Sequence, residues 1–259
     1  MRRPLLALLT AALIGTGANA IGGSGIALAA ETQAPPELHW SFQGIFGTYD
    51  RAALARGFQV YKEICSVCHS MNLMHYRILQ DIGFSADQVK EIAASVQVTD
   101  GPNDAGEMYE RPGRPSDTFK PPFPNENAAR AANNGALPPD LSLIVKARAG
   151  GPDHVYGIMT GFGDPPADMK MAEGMSYNKY FPGHQIAMPP PLSDGAVTYP
   201  DGTKATVDQM ASDVSNFLTW ASEPKLEERH FIGVKSVLFL IVLTVLLYGV
   251  KRKIWAAVH

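Results

Sequence analysis

The first clear periodicity in the chain is a stripe of apolar side chains at helical spacing. Its members recur at i, i+4 and i+7: Leu54, Phe58 and Tyr61. Asp50 precedes them as a potential N-cap, so the pattern predicts a helix that begins after Asp50 and ends near Ile64. Gly57 lies on or beside the stripe, where it lowers helix propensity but allows a second helix to approach closely.

A second and longer apolar stripe lies near the other end of the chain. Thr206 and Gln209 have the spacing of a capping box, and Pro224 follows the last apolar position. The stripe consists of Met210, Val214, Phe217, Leu218 and Ala221. The pattern therefore predicts a second amphipathic helix that ends before Pro224, as a packing partner for the first.

Shorter elements are predicted between these two helices. Four segments have the pattern of short helices: 85–96, 126–134, 141–148 and 154–160. Residues 99–125 are rich in proline, glycine and acidic side chains, which is typical of an extended surface excursion. Residues 197–205 contain Pro200-Asp201-Gly202 and are predicted to form a β-hairpin.

The N-terminal 30 residues have the pattern of a cleaved secretory signal. Arg2 and Arg3 precede a short apolar run, and small residues follow. Cleavage after Ala20 and cleavage after Ala29 both fit, and a retained N-terminal anchor is the alternative. An export signal of this kind favours a bacterial source.

A second membrane signal lies at the C-terminus. From Phe231 to Val250 the chain is apolar apart from Lys235, and about 20 helical residues span the hydrocarbon core of a bilayer. A buried core helix is the alternative. The basic run 251–253 places the tail in the cytoplasm. We therefore expect a periplasmic domain at 31–228 and, at 229–259, a single anchor in the bacterial inner membrane with a short basic tail.

Composition and charge narrow the possible partners. The chain has 259 residues, a formal net charge of -3 and 46% hydrophobic residues, which suits one substantial domain with appendages. No basic stripe lies outside the termini, which argues against nucleic acid. Acidic residues concentrate in the excursion at 99–125: Asp100, Asp104, Glu107, Glu110 and Asp117. They are either solvated surface or an attraction for a cationic carrier.

The only two cysteines stand in the run Cys65-Ser66-Val67-Cys68-His69, directly after the first predicted helix. C-x-x-C-H is the attachment signature of a c-type haem, in which two thiols bond the vinyl groups and the adjacent imidazole binds the iron. A zinc knuckle would need a further ligand, and a thioredoxin-like motif would need a β-α-β pattern. A structural disulfide would leave His69 without a role.

The second axial ligand decides what such a haem can do, because methionine favours electron transfer whereas an open position permits gas binding. Met188 is the favoured candidate, since it precedes three prolines that fix the backbone of its loop. His184 is the main rival. Spacing alone does not exclude four further methionines, which are Met159, Met169, Met171 and Met175.

Several longer runs resemble the cytochrome c1 family, the haem subunits of ubiquinol:cytochrome c oxidoreductase, or cytochrome bc1, complexes. These runs are 57–62, 65–69, 100–104, 128–142 and 181–188. The resemblance covers nearly the whole mature chain. It implies a mainly α c-type cytochrome domain with loop and hairpin insertions, plus one C-terminal transmembrane helix.

The resemblance also implies roles for individual residues. His69 and Met188 would bind the iron of one covalently attached haem c, and Arg148 would pair with a haem propionate. Four residues would line the haem crevice: Asn133, Pro138, Pro139 and Ile186. At His154 we expect a tyrosine in relatives, so no role is carried over to it.

The expected function is single-electron transfer by a redox subunit without acid-base or nucleophilic residues of its own. The resemblance implies partners in cytochrome b, the Rieske iron-sulfur protein and a soluble c-type cytochrome, within a dimeric complex. A membrane-tethered shuttle that works without such a complex is the alternative, and a haem-based gas sensor is a more distant one.

Overall fold

The computed structural model describes residues 33–258, and the predicted signal at 1–30 lies outside them. The described chain is mainly helical, with a few short strands and one long apolar helix at its C-terminus. The α-helices are α1 (Arg51–Glu63), α2 (Ala86–Ala94), α3 (Glu126–Ala132), α4 (Pro152–Thr160), α5 (Val207–Ser222) and α6 (Leu226–Trp255). The strands are β1 (Gln97–Asp100), β2 (Tyr109–Pro112), β3 (Ser176–Tyr177) and β4 (Gln185–Ile186).

The core is built around the contact between α1 and α5, the two helices that the apolar stripes predict. The fully buried side chains here include Leu54, Met210, Val214 and Phe217. Gly57 lies at the point of closest approach, because a Cβ built there would stand 2.0 Å from the carbonyl oxygen of Asp213. The expectation that this glycine permits close helix approach is confirmed.

A buried ion pair joins the same two helices. Arg56 donates from Nε and Nη2 to the two carboxylate oxygens of Asp213, at 2.9 and 3.0 Å, and Asp213 is only 1% exposed. The remaining guanidinium nitrogen donates to Asp201 in the loop before α5. The predicted capping box at the start of α5 is only half formed. The Thr206 hydroxyl accepts from the Gln209 amide, but the Gln209 side chain donates to Asp213, a member of this ion pair.

The starts of three predicted helices are confirmed. Asp50 caps α1, and Ser85 with Gln88 forms a complete capping box on α2. Asn125 caps α3 through a hydrogen bond to the amide of Ala128. The helix predicted at 154–160 begins two residues earlier, at Pro152, whose fixed φ suits the first helical position.

Three expectations for the loops need correction. Residues 141–148 form successive turns rather than a helix, since most of their backbone hydrogen bonds span three residues. Residues 197–205 form a single turn, closed by a hydrogen bond from the Gly202 amide to the Tyr199 carbonyl, and they do not pair as strands. The excursion at 99–125 instead begins inside a hairpin, in which β1 pairs antiparallel with β2. The Arg111 side chain stabilises it by pairing with both Asp100 and Asp117.

The C-terminal helix α6 is 30 residues long and, by length and composition, is able to cross a membrane. None of its most apolar window is buried against the rest of the chain. The ammonium group of Lys235 lies 3.8 Å from the centroid of the Phe231 ring, one turn towards the helix start. Lys235 therefore points towards the end of the helix nearer the soluble domain, as a snorkelling lysine does.

Candidate functional site

The two cysteines lie on a single tight turn that continues from α1. The helix ends at Glu63, and Cys65–Val67 form a 3₁₀ turn. The carbonyl of Cys65 accepts from the amides of Cys68 at 3.1 Å and His69 at 2.9 Å. Because one carbonyl accepts from both amides, the side chains of Cys65, Cys68 and His69 all extend from a single turn of the backbone. This is the arrangement that the C-x-x-C-H spacing predicts.

Both cysteines are free thiols and half-buried. Burial, together with a smaller effect of the neighbouring Cys68, raises the pKa of the Cys65 thiol to about 12. The structural disulfide considered from sequence is therefore not formed. Within residues 33–258, no three His, Cys, Asp or Glu side chains are grouped so as to hold a metal ion by themselves.

The imidazole of His69 is oriented by a backbone carbonyl. Its Nδ1 lies 2.8 Å from the carbonyl oxygen of Pro139. A carbonyl only accepts hydrogen bonds, so Nδ1 carries the proton and the lone pair is on Nε2. Burial lowers the pKa of His69, although Pro139 and Asp140 oppose the shift. The side chain is thus a neutral imidazole whose Nε2 is suited to bind iron.

Asp140 joins the segment after His69 to the segment that contains Pro139. One carboxylate oxygen accepts from the Ser70 hydroxyl and the Asn72 amide, both at 2.8 Å, and the other accepts from the Ser142 amide at 2.8 Å. Burial alone would raise the pKa of this carboxyl, but the hydrogen bonds outweigh it and lower the pKa. The amide of Leu141 also donates to the Ser70 carbonyl at 2.8 Å. Together these bonds hold Pro139 beside the imidazole.

The segment that leads to Met188 is held by Asn178, which is fully buried. Its side chain donates to the carbonyl of Ile158 in α4 at 2.7 Å and accepts from the Tyr180 amide at 3.1 Å. Strands β3 and β4 pair on either side of this bend, with Ser176 opposite Ile186. The chain therefore leaves β4 at a defined position and reaches Met188 two residues later.

The structure separates the methionines by environment. Met71, Met74 and Met210 are buried in the core, so their thioethers serve packing. Met108 and Met175 are exposed, at 60% and 42%. Four others are half-buried, namely Met159, Met169, Met171 and Met188. The Met188 thioether is therefore not part of the packed core.

The rival ligand His184 is engaged within its own segment. It has a φ of 60°, its Nδ1 lies 3.3 Å from the Asn178 carbonyl oxygen, and its ring packs against Tyr177 with centroids 5.7 Å apart. A left-handed backbone at a non-glycine residue costs free energy, so the surrounding contacts must hold it there.

The remaining predicted crevice residues come from separate loops. Asn133 caps the end of α3 and donates to the Ala129 carbonyl at 2.7 Å. Pro138 and Ile186 are half-buried and Pro139 is exposed. Of these residues, the hydrogen bonds bring Pro139 directly to His69.

Arg148 is exposed at the end of the turns that follow Val145, and its Nη1 donates to the Ala147 carbonyl at 3.0 Å. No carboxylate of the described residues pairs with it. Its positive charge, after burial, lowers the pKa of His154. The two side chains are therefore near neighbours, which the sequence did not indicate.

Residues 40–258 match the model of the Cytochrome C1 family. This range includes the turn that carries Cys65, Cys68 and His69, and also α6. The chain belongs to the cytochrome c1 family. Family members carry a covalently attached haem c. The donor set fits that group, because two adjacent free thiols and an imidazole with a free Nε2 stand on one turn.

Curated relatives support the same family. The chain is 49% identical over 232 residues to cytochrome c1 of Rhodospirillum rubrum, covering 83% of this chain and 85% of that one. It is 52% identical over 205 residues to cytochrome c1-2 of Solanum tuberosum, covering 79% of each. It is 48% identical over 271 residues to cytochrome b/c1 of Bradyrhizobium diazoefficiens, covering 96% of this chain. The chain spans about two fifths of that relative's length, since 39% is covered.

Sequence reasoning missed two residues that hold the site together. Asp140 stands in Asp140-Leu141-Ser142, and a carboxylate that accepts from the amide two residues on is the signature of an Asx turn. That local pattern was available in the sequence. Asn178 has the same local pattern, since it accepts from the Tyr180 amide two residues on. Its bond to Ile158 in α4, 20 residues away, has no local signal in the sequence.

Proposed function

We propose that this chain is the electron-transfer haem subunit of a ubiquinol:cytochrome c oxidoreductase complex. It would accept single electrons from the Rieske iron-sulfur protein and deliver them to a soluble c-type cytochrome. Cytochrome b would be its membrane partner, within a dimeric complex. The observation that carries this proposal is the continuous family match, which includes the haem-attachment turn and the C-terminal anchor in one chain.

Cys65 and Cys68 would hold the haem covalently, and His69 would bind the iron through Nε2. The hydrogen bond from Nδ1 to the Pro139 carbonyl supports this role, because it fixes both the tautomer and the plane of the imidazole. When bound, the haem supplies the single-electron chemistry. The protein's own residues then set its potential, orientation and access to solvent.

Met188 would be the second protein ligand of the haem iron. Its support is a half-buried thioether on a segment fixed by Asn178 and followed by three prolines. A thioether favours the ferrous state and so raises the reduction potential, which suits transfer to another cytochrome. Asn133, Pro138, Pro139 and Ile186 would line the crevice.

Arg148 would pair with a haem propionate. Its exposed guanidinium has no carboxylate partner among residues 33–258, which leaves its planar fork of donors for a carboxylate from the cofactor. The nearby His154, with a lowered pKa, is neutral at neutral pH and does not compete for that carboxylate.

The domain at 31–228 would lie in the periplasm and residues 229–259 would form the anchor with its cytoplasmic tail. Lys251, Arg252 and Lys253 support this orientation, because basic residues are retained on the cytoplasmic side. The export signal proposed for 1–30 agrees with it. Covalent haem attachment would then take place on the outer side of the membrane.

The test is co-purification of the affinity-tagged full chain from gently solubilised membranes. We expect it to bring down a multi-span dihaem cytochrome b and an iron-sulfur protein, and the preparation should reduce soluble cytochrome c with ubiquinol. A matched preparation of Met188→Leu should retain the partners but lose electron delivery. Recovery of the parent chain alone, with haem bound and no ubiquinol-dependent activity, would instead support the membrane-tethered shuttle.

A further inference from the structure

A short uncharged turn stands directly before α1. Its two side chains Ile45 and Phe46 are 67% and 83% exposed, and outside α6 and the C-terminal tail they are the most exposed large apolar residues that the structure describes. From Trp40 to Tyr49 the chain carries no charged side chain. Two adjacent exposed apolar side chains form a contiguous apolar patch, and such patches mark contact surfaces.

The turn is rigid rather than an arbitrary loop. The Thr48 amide donates to the Ser41 carbonyl at 3.0 Å, and the Gly47 amide donates to the Gly44 carbonyl at 3.2 Å. Behind the tip, Phe42 is buried, stacks on the ring of Trp40 and packs at a tilt against that of Tyr49, with centroid distances of 5.7 and 5.4 Å. The aromatic base therefore fixes a tip whose apolar side chains face outwards.

The base of the turn is bound to the start of α6. The Tyr49 amide donates to Glu227 Oε1 at 2.7 Å, and its hydroxyl donates to the Glu223 carbonyl at 3.0 Å. Arg51 pairs with the other oxygen of Glu227 at 2.6 Å. These contacts join the turn to the end of the domain from which the anchor leaves.

The distances allow the tip to reach the bilayer. Glu227 precedes Phe231, the first residue of the apolar span, by four helical residues, or about 6 Å. Phe46 precedes Tyr49 by three residues, which span up to about 10 Å of extended chain. Phe231 and Ile232 are themselves exposed on α6, so the apolar surface of α6 begins within the range that these contacts and chain lengths allow for the tip.

We propose that Ile45 and Phe46 insert into the boundary between headgroups and acyl chains, as a second membrane contact that fixes the tilt of the domain above its anchor. This rests on the proposed membrane placement of α6. The uncharged aromatic composition favours lipid over a protein partner, because aromatic side chains concentrate at membrane interfaces. A companion subunit that covers the turn is the other outcome of the test.

The test uses the full haem-loaded chain in vesicles of phosphatidylcholine and phosphatidylglycerol with a trace of phosphatidylcholine that carries an acyl-chain diazirine. After illumination, mass spectrometry locates the lipid adducts. We expect adducts on α6 and on the peptide containing Ile45 and Phe46, with a yield on that peptide several-fold above that of the peptide containing the exposed Met108. The variant Ile45→Ser with Phe46→Ser should lose the turn adducts and keep those on α6.

The outcomes separate the two proposals. Adducts on α6 without adducts on the turn would overturn the insertion of Ile45 and Phe46 and leave the anchor intact. Absence from both would overturn the membrane placement itself. The same illumination of the intact complex in its native membrane should again label the turn; labelling of the isolated chain alone would mean that a protein subunit covers the turn, which also overturns the proposal.

Discussion

The contact between α1 and α5 and the group of loops around His69 are neighbours in the chain but are stabilised differently. Between the helices, Phe217 and Leu54 are completely buried, and the Arg56–Asp213 fork closes the edge of the contact. Around His69, the proposed ligands and crevice residues are half-buried or exposed. Those loops place a few side chains in the core, and hydrogen bonds that Asp140 accepts and that Asn178 makes fix their positions.

The two regions respond to different kinds of substitution. A helix contact tolerates little added volume, because close-packed side chains and backbone cannot move aside. A loop held by a few hydrogen bonds tolerates volume but depends on individual acceptors. We therefore expect substitutions at the helix contact to change folding stability, and substitutions in the loops to change the properties of the haem.

The largest effect should come from Gly57→Ala. The added Cβ would meet the Asp213 carbonyl oxygen at 2.0 Å and the Phe217 Cβ at 2.7 Å. Alanine gains up to about 1 kcal/mol in helix propensity. The clash should outweigh it and lower the free energy of unfolding by about 3 kcal/mol, which thermal unfolding measures. Gly163→Ala is the control, since nothing lies within 4 Å of its Cβ; equal stability of the two variants would contradict the close contact.

Met188→Leu should change the iron and leave the helix contact intact. Loss of the thioether should lower the midpoint potential by about 100 mV or more, or roughly 2.3 kcal/mol per electron. The iron should then bind carbon monoxide. Redox titration and carbon monoxide difference spectra measure both effects, with Met175→Leu, at an exposed methionine, as the control. An unchanged potential would eliminate Met188 as a ligand.

The helix contact was predictable because its signals are local. At α1, three local signals agree. Asp50 marks the start of the helix, and the apolar stripe and Gly57 mark the face that packs. The role of Asp213 was not predicted, because its ion-pair partner Arg56 is 157 residues away in the sequence. Local pattern thus located the helices but not the ion pair between them.

The site was predictable in its chemistry but not in its support. Cys65, Cys68 and His69 follow from a five-residue motif, and a single turn does bring them together. The Pro139 carbonyl that orients His69 is 70 residues away and is placed by tertiary contacts. The helix expected at 141–148 was wrong for a related reason: Asp140 caps Ser142 and also binds Ser70, so this stretch follows the contacts of the site rather than its own periodicity.

Asp140→Asn should have a smaller effect than either substitution above. The amide keeps the shape of the carboxylate but has only one acceptor oxygen, so it cannot accept from Ser142 while it also accepts from Ser70 and Asn72. The loop beside His69 should therefore loosen. We expect a loss of about 1 to 2 kcal/mol in unfolding free energy and a measurable fall in potential, less than that of Met188→Leu. Asp81→Asn, on an exposed carboxylate, is the control. A potential equal to that of the parent would mean that Asp140 supports the fold without positioning His69.

The smallest effect concerns the acidic excursion, where the structure separates paired from unpaired carboxylates. Arg111 neutralises Asp100 and Asp117 and lowers the pKa of Asp117 to about 2. Asp104 and Glu107 are exposed and form no ion pair within residues 33–258. Glu110 is also exposed without an ion pair among these residues, but it accepts a hydrogen bond from the Thr99 hydroxyl. If the excursion attracts a cationic carrier, Asp104 and Glu107 should supply most of the attraction.

Asp104→Asn with Glu107→Gln should therefore slow electron delivery to a soluble c-type cytochrome about two- to five-fold at low ionic strength. The difference should vanish as salt rises, because the Debye length falls to about 10 Å at 0.1 M. The control is Asp81→Asn with Glu91→Gln, which removes the same charge from another exposed surface. Stopped-flow rates that fall equally for both pairs would mean that net charge, and not the excursion, steers the carrier.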